Sequence, residues 1–397
     1  MLTGHPVLWI LVVAVAAPLL AEIPLGFRVP VVVLEVLLGI VIGPHVLDLV
    51  RLEGFLAVMF VFGMGATLFM AGMELDFERI RGRPLSLALR GWLLSLVLGI
   101  AVVGILHVVP FVEAPVMVAL TLVTTSLGVL LPVFRDAEQI DTRFGSLLLA
   151  AGTVGEVGPI VAMSLLLSQR YSTWQEAGFL LAFLGIVAIT AAVGMGRRPP
   201  RVLALLNRTM HASSQLPVRV SLLLAGGLFV LAEEFGFESI FGAFMAGMIV
   251  GLATRGEPGE PLRAKIDAVF FGWFFPFFFV GTGIKFDLPA LTRDFTTMIL
   301  VPTFLLLFVL VRGLPVFLYR TDLARHERLP FVLSSAVASL SIVVVITEIG
   351  VHTRAMNADI AAALVGAALL SVMLFPTIAG VLLSRSSGLP RVEGSEL

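Results

Sequence analysis

The sequence predicts an all-α membrane protein of about thirteen transmembrane helices in two inverted repeats. Three observations carry this. Of 397 residues, 58% are hydrophobic and only 13% charged, with mean hydropathy +1.05; a soluble domain carries about twice that charge. Breaking the chain at charge clusters and Gly/Pro punctuation leaves thirteen apolar segments. Two pairs of short motifs recur seven segments apart. The net charge of −1 gives no basic footprint for nucleic acid, and the lack of cysteine removes disulfides, thiolate metal sites and cysteine nucleophiles.

The segments lie near 7–25, 29–48, 54–73, 85–109, 114–134, 143–168, 175–196, 217–235, 237–254, 266–285, 296–319, 329–350 and 358–384. The first is a full span in length and Met1–Pro6 carries no Lys or Arg, so a span is expected rather than a cleaved signal. About a dozen residues follow the last segment, and no soluble regulatory domain is expected. Eighteen of the 26 Lys and Arg follow odd-numbered segments and five follow even-numbered ones. By the positive-inside rule the odd loops are cytoplasmic, the N-terminus outside and the C-terminus inside.

Segments two and three resemble nine and ten. Glu35-x-x-x-Gly39 recurs as Glu238-x-x-x-Gly242, an offset of 203, and Gly72 to Phe77 recurs as Gly283 to Leu288, an offset of 211. Seven is odd, so the copies face opposite ways across the membrane. Inverted repeats of this kind mark many secondary transporters, with substrate bound near the midplane.

All nine Asp fall outside the segments or at their ends, so the deep carboxylates are Glu. Glu156 sits at the centre of segment six, in Gly152-Thr153-Val154-Gly155-Glu156-Val157-Gly158-Pro159. An acid at that depth costs at least about 2.5–3.5 kcal/mol and normally faces a polar cavity or partner. Pro159 lacks an amide hydrogen and displaces the carbonyl of Gly155. A carboxylate beside a freed carbonyl is a hard oxygen site for a small cation or a proton. Arg312 is the one deep cation; pairing with Glu156 and snorkelling to the headgroups are both open to it. Segment five reads Thr124-Thr125-Ser126-Leu127-Gly128 and then Pro132, the pattern of an interrupted helix whose loose carbonyls coordinate an ion. Its partner, segment twelve, offers Ser334, Ser335, Ser339 and Ser341, with no Gly or Pro between Phe331 and Ile349 to mark a break.

Lys285, aligned with Glu74, reads as an interfacial anchor. Glu35 serves a structural hydrogen bond or a gate, and Glu233, Glu234 and Glu348 read as solvated ends. The six His do not cluster at metal-ligand spacing and HExxH is absent. No enzyme activity, cofactor or resident metal is expected.

These residues resemble the sodium/hydrogen exchanger domain of the cation:proton antiporter superfamily, on the branch of Kef-type potassium efflux proteins. The carriers are Val31 to Pro44, Phe69 to Asp76, Gly242 to Gly247 and Phe277 to Gly283, in order and spacing over nearly the whole chain. The resemblance implies the sodium/proton antiporter fold: a homodimer whose core moves as an elevator against a dimer scaffold. In this chain 1–83 and 217–293 are then dimerisation-domain helices of the first and second repeat. The core ion-transport helices are 84–170 and 294–386, with a linker helix and cytoplasmic loop at 171–216 and a short tail at 387–397. Interrupted helices matching segments five and twelve are implied to cross beside the acid, which falls at Glu156. Arg312 matches a basic residue that is often Lys elsewhere. Many members carry paired acids or Asn-Asp where this chain has Gly155-Glu156.

The expected function is secondary transport exchanging Na⁺ or K⁺ for protons. Glu156, Thr124, Thr125, Ser126 and Gly155 would bind the ions, Arg312 would be the charge partner, and Ser339 and Ser341 would belong to the second interrupted helix. Alternatives from the same residues are an uncoupled, channel-like cation pathway, a transporter of another solute on this fold, or a silent interaction protein. The expected partners are cation, proton, lipid bilayer and a second copy of the chain, in a prokaryotic inner membrane.

Overall fold

The structure, a computed structural model, describes residues 5–23, 29–75, 80–108, 114–136, 139, 142–166, scattered positions between 178 and 209, 212–254, 259–292 and 295–386. Among these, every apolar segment carries helix, the seventh only at its few described positions; 175–196 lies mostly outside the described residues, as does most of the linker expected at 171–216. Also outside are Arg28, Arg79, Arg197, Arg198 and Arg201. Among the described residues, eight helical stretches are long and apolar enough to cross a membrane, and four shorter apolar helices accompany them. The chain is a multi-pass membrane protein.

Two units divide the chain: Met1–Ala17, Glu35–Leu75 and Ile160–Lys285 form one, and Pro18–Leu34, Asp76–Pro159 and Phe286–Leu397 the other. The first is built mainly on α1 (Pro6–Ala21), α2 (Val31–Ile42), α3 (Phe55–Glu74), α8 (Leu216–Glu234), α9 (Ser239–Ala253), α10 (Glu260–Val269) and α11 (Phe275–Lys285). The second contains α4 (Arg83–Val108), α5 (Pro115–Leu122), α6 (Leu127–Asp136), most of α7 (Arg143–Leu166), α12 (Leu288–Thr292), α13 (Phe295–Gly313), α14 (Arg325–Ser335), α15 (Leu340–His352) and α16 (Ala358–Ser386).

Segment ten is helical from Glu260, earlier than its apolar run starts at 266. The extra turns begin with Glu260 at the helix start and Pro261 in the first turn, good starting residues that an apolar window overlooks. A π turn, Phe270–Phe274, joins α10 to α11 just ahead of Pro276. Proline has no N–H, so the carbonyl of Gly272 lacks its usual helical donor, and the wider turn accommodates this.

In the first unit, glycines bring helices into backbone contact. A Cβ at Gly283 would collide with the carbonyl of Val36 and lie 2.7 Å from Ile40 N. A Cβ at Gly72 would likewise collide with the carbonyl of Phe244 and lie 2.9 Å from Met248 N. Reciprocally, Gly39 meets the carbonyl of Val280 and Gly247 that of Phe69. Thus α2 crosses α11 as α9 crosses α3, the exchange a twofold axis between the copies generates. The contacts keep the offset of 211 between segments three and ten. They correct the other register: Gly39 corresponds to Gly247, an offset of 208, and not to Gly242. Gly242 packs instead on the carbonyl of Leu228. Small residues at such crossings supply the close packing that apolar lipid cannot drive by itself. Gly283→Ala is expected to destabilise the protein by about 1–3 kcal/mol despite alanine's better helix propensity, read as a lower unfolding temperature in detergent.

Candidate functional site

The candidate residues come together inside the second unit. The α5 helix ends at Leu122 and α6 begins at Leu127, so Val123–Ser126 is the interruption expected in segment five. Segment twelve is interrupted as well: α14 ends at Ser335 and α15 begins at Leu340. No local residue marks this second break, because tertiary bonds make it. Ala338 N–H donates to Ser371 Oγ at 3.0 Å, and Ser339 N–H to Thr124 Oγ1 at 3.3 Å. In return Ser126 N–H donates to the carbonyl of Val337 at 2.8 Å, and Thr125 N–H to that of Gly155 at 3.0 Å. Four amides of the two interruptions thus find partners on other segments, while those of Thr124, Ala336 and Val337 bond within their own, so that buried donors are satisfied. The pattern follows the repeat: Thr125 and Ala338 reach segments six and thirteen, again seven apart.

Glu156 lies on α7, 5% exposed, immediately after Gly155. Pro159 stands inside this uninterrupted helix, and the Gly155 carbonyl it displaces is engaged by Thr125. Thr125, fully buried, donates its hydroxyl to the carbonyl of Ser335 at 2.6 Å. Thr124 donates to the carbonyl of Thr121 at 2.9 Å. Of the two serines expected from segment twelve, Ser339 enters the crossing through its backbone. Ser341 is half-buried in the first turn of α15, outside this hydrogen-bonded set.

Arg312 turns inward and does not snorkel. It is 5% exposed. Its Nε donates to Thr125 Oγ1 at 2.8 Å and to the carbonyl of Ser335 at 3.4 Å. Nη1 reaches Ser95 Oγ at 3.4 Å and Nη2 the carbonyl of Ala151 at 3.2 Å. Ser95 passes its own proton to the carbonyl of Val311 at 2.8 Å. These bonds hold a cation beside the stretch of α7 that carries Glu156, in a medium where charges act strongly on one another. A small cavity next to the guanidinium is lined by Trp92, Tyr319, Phe331 and Ser335 among others. Ser95, Ser371 and the carbonyls of Ala151 and Val337 were not legible as site residues; a lone serine in an apolar helix carries no distinguishing signal.

At one end of the unit, Asp322 ties three segments together. Arg83 grips it with Nε at 2.9 Å and Nη2 at 2.8 Å, Arg143 donates to the same carboxylate, and Thr321 adds a hydroxyl at 2.9 Å. The Arg83 guanidinium, with Arg143 and Thr321, holds this carboxyl well below the usual carboxylate range. A depressed folded value means the stabilisation is full above the unfolded value of about 3.9 and is lost only as pH falls further. Asp322→Asn is therefore expected to cost about 2 kcal/mol, the same at pH 6 and pH 8, measured by thermal unfolding at both.

Known proteins resemble the chain over most of its length. The chain is 25% identical over 391 residues to the putative Na⁺/H⁺ antiporter YjbQ of Bacillus subtilis, covering 92% of this chain and 61% of the relative. It is 26% identical to cation/H⁺ antiporter 18 of Arabidopsis thaliana, covering 72% of this chain and 37% of that one. With the Na⁺/H⁺-K⁺ antiporter GerN of Bacillus cereus it shares 25% identity over 70% of this chain and 71% of the relative. The chain thus spans less than two thirds of the first and second of these relatives. The structure of the sodium proton antiporter MjNhaP1 from Methanocaldococcus jannaschii superposes with a TM-score of 0.62 at 18% identity, covering 98% of both chains, which shows a shared fold. The family model described as sodium/hydrogen exchanger, transmembrane, matches residues 10–385: the chain belongs to the sodium/hydrogen exchanger transmembrane family.

Proposed function

We propose that the chain exchanges a monovalent cation, Na⁺ or K⁺, for protons across a cell membrane. The observation that carries this is the buried carboxylate of Glu156 on the helix whose Gly155 carbonyl joins the crossing of two broken helices. The names of the relatives, all cation/proton antiporters, support the same reading. Glu156 alternately holds a proton and the cation. Hydroxyls and carbonyls around Thr124, Thr125 and Ser126 complete the cation's oxygen shell. Arg312 balances the carboxylate between the two loads, and one shared acid favours one-for-one exchange. Ser341 has no part in this reading.

The division into two units is compatible with a core that shifts, elevator-fashion, against a scaffold shared by two copies. In this proposal the second unit is the core, the N-terminus lies outside, the C-terminus is cytoplasmic, and the membrane is a prokaryotic inner membrane.

The test is wild-type protein in proteoliposomes with a pH-sensitive dye inside. Proton movement on adding Na⁺, K⁺ or Li⁺ is expected, and the most effective ion names the substrate. Cation flux without proton movement overturns the proposal in favour of an uncoupled pathway. No response to any of the three ions overturns it in favour of another solute.

A further inference from the structure

We propose that Gly155 is a positioning residue for Arg312: the empty place of its side chain admits the guanidinium and Thr125 against the backbone of α7, one residue before Glu156. This rests on the reading of Glu156 as the ion carrier and deepens it. A Cβ at Gly155 would lie 2.7 Å from Arg312 Nη2, and 2.7 Å from both Cβ and Oγ1 of Thr125. Carbon atoms do not approach so closely, so any side chain there displaces one partner or both. Backbone freedom is not the reason for this glycine, because it stands inside the regular helix α7. In a helix interior glycine is disfavoured relative to alanine, so the space it leaves is what the position supplies.

The neighbouring glycines of α7 differ. A Cβ at Gly152 would press on the end of the Leu127 side chain at 2.9 Å, and one at Gly158 would meet the ring of Trp92. Only at Gly155, among these three, is the displaced group a cation. Two bonds depend on the close approach directly: Nη2 to the carbonyl of Ala151 at 3.2 Å and Nε to Thr125 Oγ1 at 2.8 Å. The Thr125 N–H bond to the Gly155 carbonyl, at 3.0 Å, draws the interruption against the same point. Glycine at 155 and arginine at 312 therefore form a coupled pair. Where a side chain stands at the equivalent of 155, the cation must be held differently.

The test is a cycle of Gly155→Ala, Arg312→Lys and the double variant, read both as cation-driven proton exchange and as thermal unfolding in detergent. A lysine ammonium falls near the place of Cζ, keeps a charged donor there and leaves the volume of Nη2 open to the new methyl. Gly155→Ala is expected to lower exchange about ten-fold, and in the Arg312→Lys background to cost less than about three-fold. The unfolding temperatures are expected to show the same non-additivity. Equal losses in both backgrounds overturn the proposal, as does an alanine variant that matches the wild type in both readouts. If the wild type exchanges no protons, the antiport reading fails by itself, and the unfolding cycle still decides whether Gly155 acts through Arg312.

Discussion

Glu156→Gln is expected to reduce cation-driven proton movement by at least about 100-fold, the scale set by removing a group that must take up and release a proton. The amide keeps the volume and the hydrogen-bonding reach of the side chain. It has no proton to exchange at neutral pH and no charge to offer a cation. Stability is expected to stay level or rise, since an ionised carboxylate 5% exposed in an apolar unit carries a desolvation cost that the amide avoids. Lost exchange with unchanged unfolding temperature separates a carrier from a structural acid. Glu35 is the control: it is also buried, 4% exposed, on α2. Full exchange in Glu156→Gln together with its loss in Glu35→Gln would move the carrier to the first unit. Glu156→Asp, which withdraws the carboxylate by one methylene, is expected to retain exchange at a reduced rate.

Arg312 presents a different balance. Its four hydrogen bonds go to neutral acceptors, and two of these are satisfied without it. The Ser335 carbonyl accepts from Thr125, and Ser95 already donates to Val311. Removing the cation therefore leaves few orphaned groups, while it recovers the cost of burying a charge. Arg312→Met, which roughly fills the same space, is expected to change stability by less than about 1.5 kcal/mol yet lower exchange at least ten-fold, about 1.4 kcal/mol of barrier. Arg312→Ala opens a cavity and is expected to cost about 2–5 kcal/mol. Proteoliposome exchange and detergent unfolding of both variants separate charge from volume. If methionine matches the wild type in exchange, the charge has no role in transport.

How far the sequence reveals this arrangement depends on whether a feature is local. The interruption at Val123–Ser126 is announced by adjacent hydroxyls with Gly128 and Pro132 beyond them. The interruption at 336–339 has no such sign, because its last two amides, Ala338 and Ser339, are satisfied by Ser371 and Thr124, remote in sequence. Arg312 illustrates the same limit. Its depth in segment eleven allows either an inward or an outward course, and only Thr125, Ser95 and the carbonyls of Ala151 and Ser335 decide between them. Charge counting fared better: Arg83, Arg143 and the turn holding Asp322 follow the third, fifth and eleventh segments, and the ion pairs bring these three odd-numbered ends together. The repeat was legible in kind but not wholly in register. A match of Glu35 to Glu238 catches the eye, whereas helix contact is governed by which glycine meets a backbone.

The exchange of amides between the two interruptions also bears on how the chain is made. Ser126 donates to Val337, so the first interruption lacks its acceptor until a point 211 residues further on has been synthesised. At about 5–20 residues per second the wait lasts roughly 10–40 s. During that time the fifth segment resides in or beside the bilayer as an unfinished element, and a nascent chain arrested before Val337 lacks the partner that completes it. Assembly of the proposed ion-binding region is thus a late event in biogenesis, set by the second half of the chain.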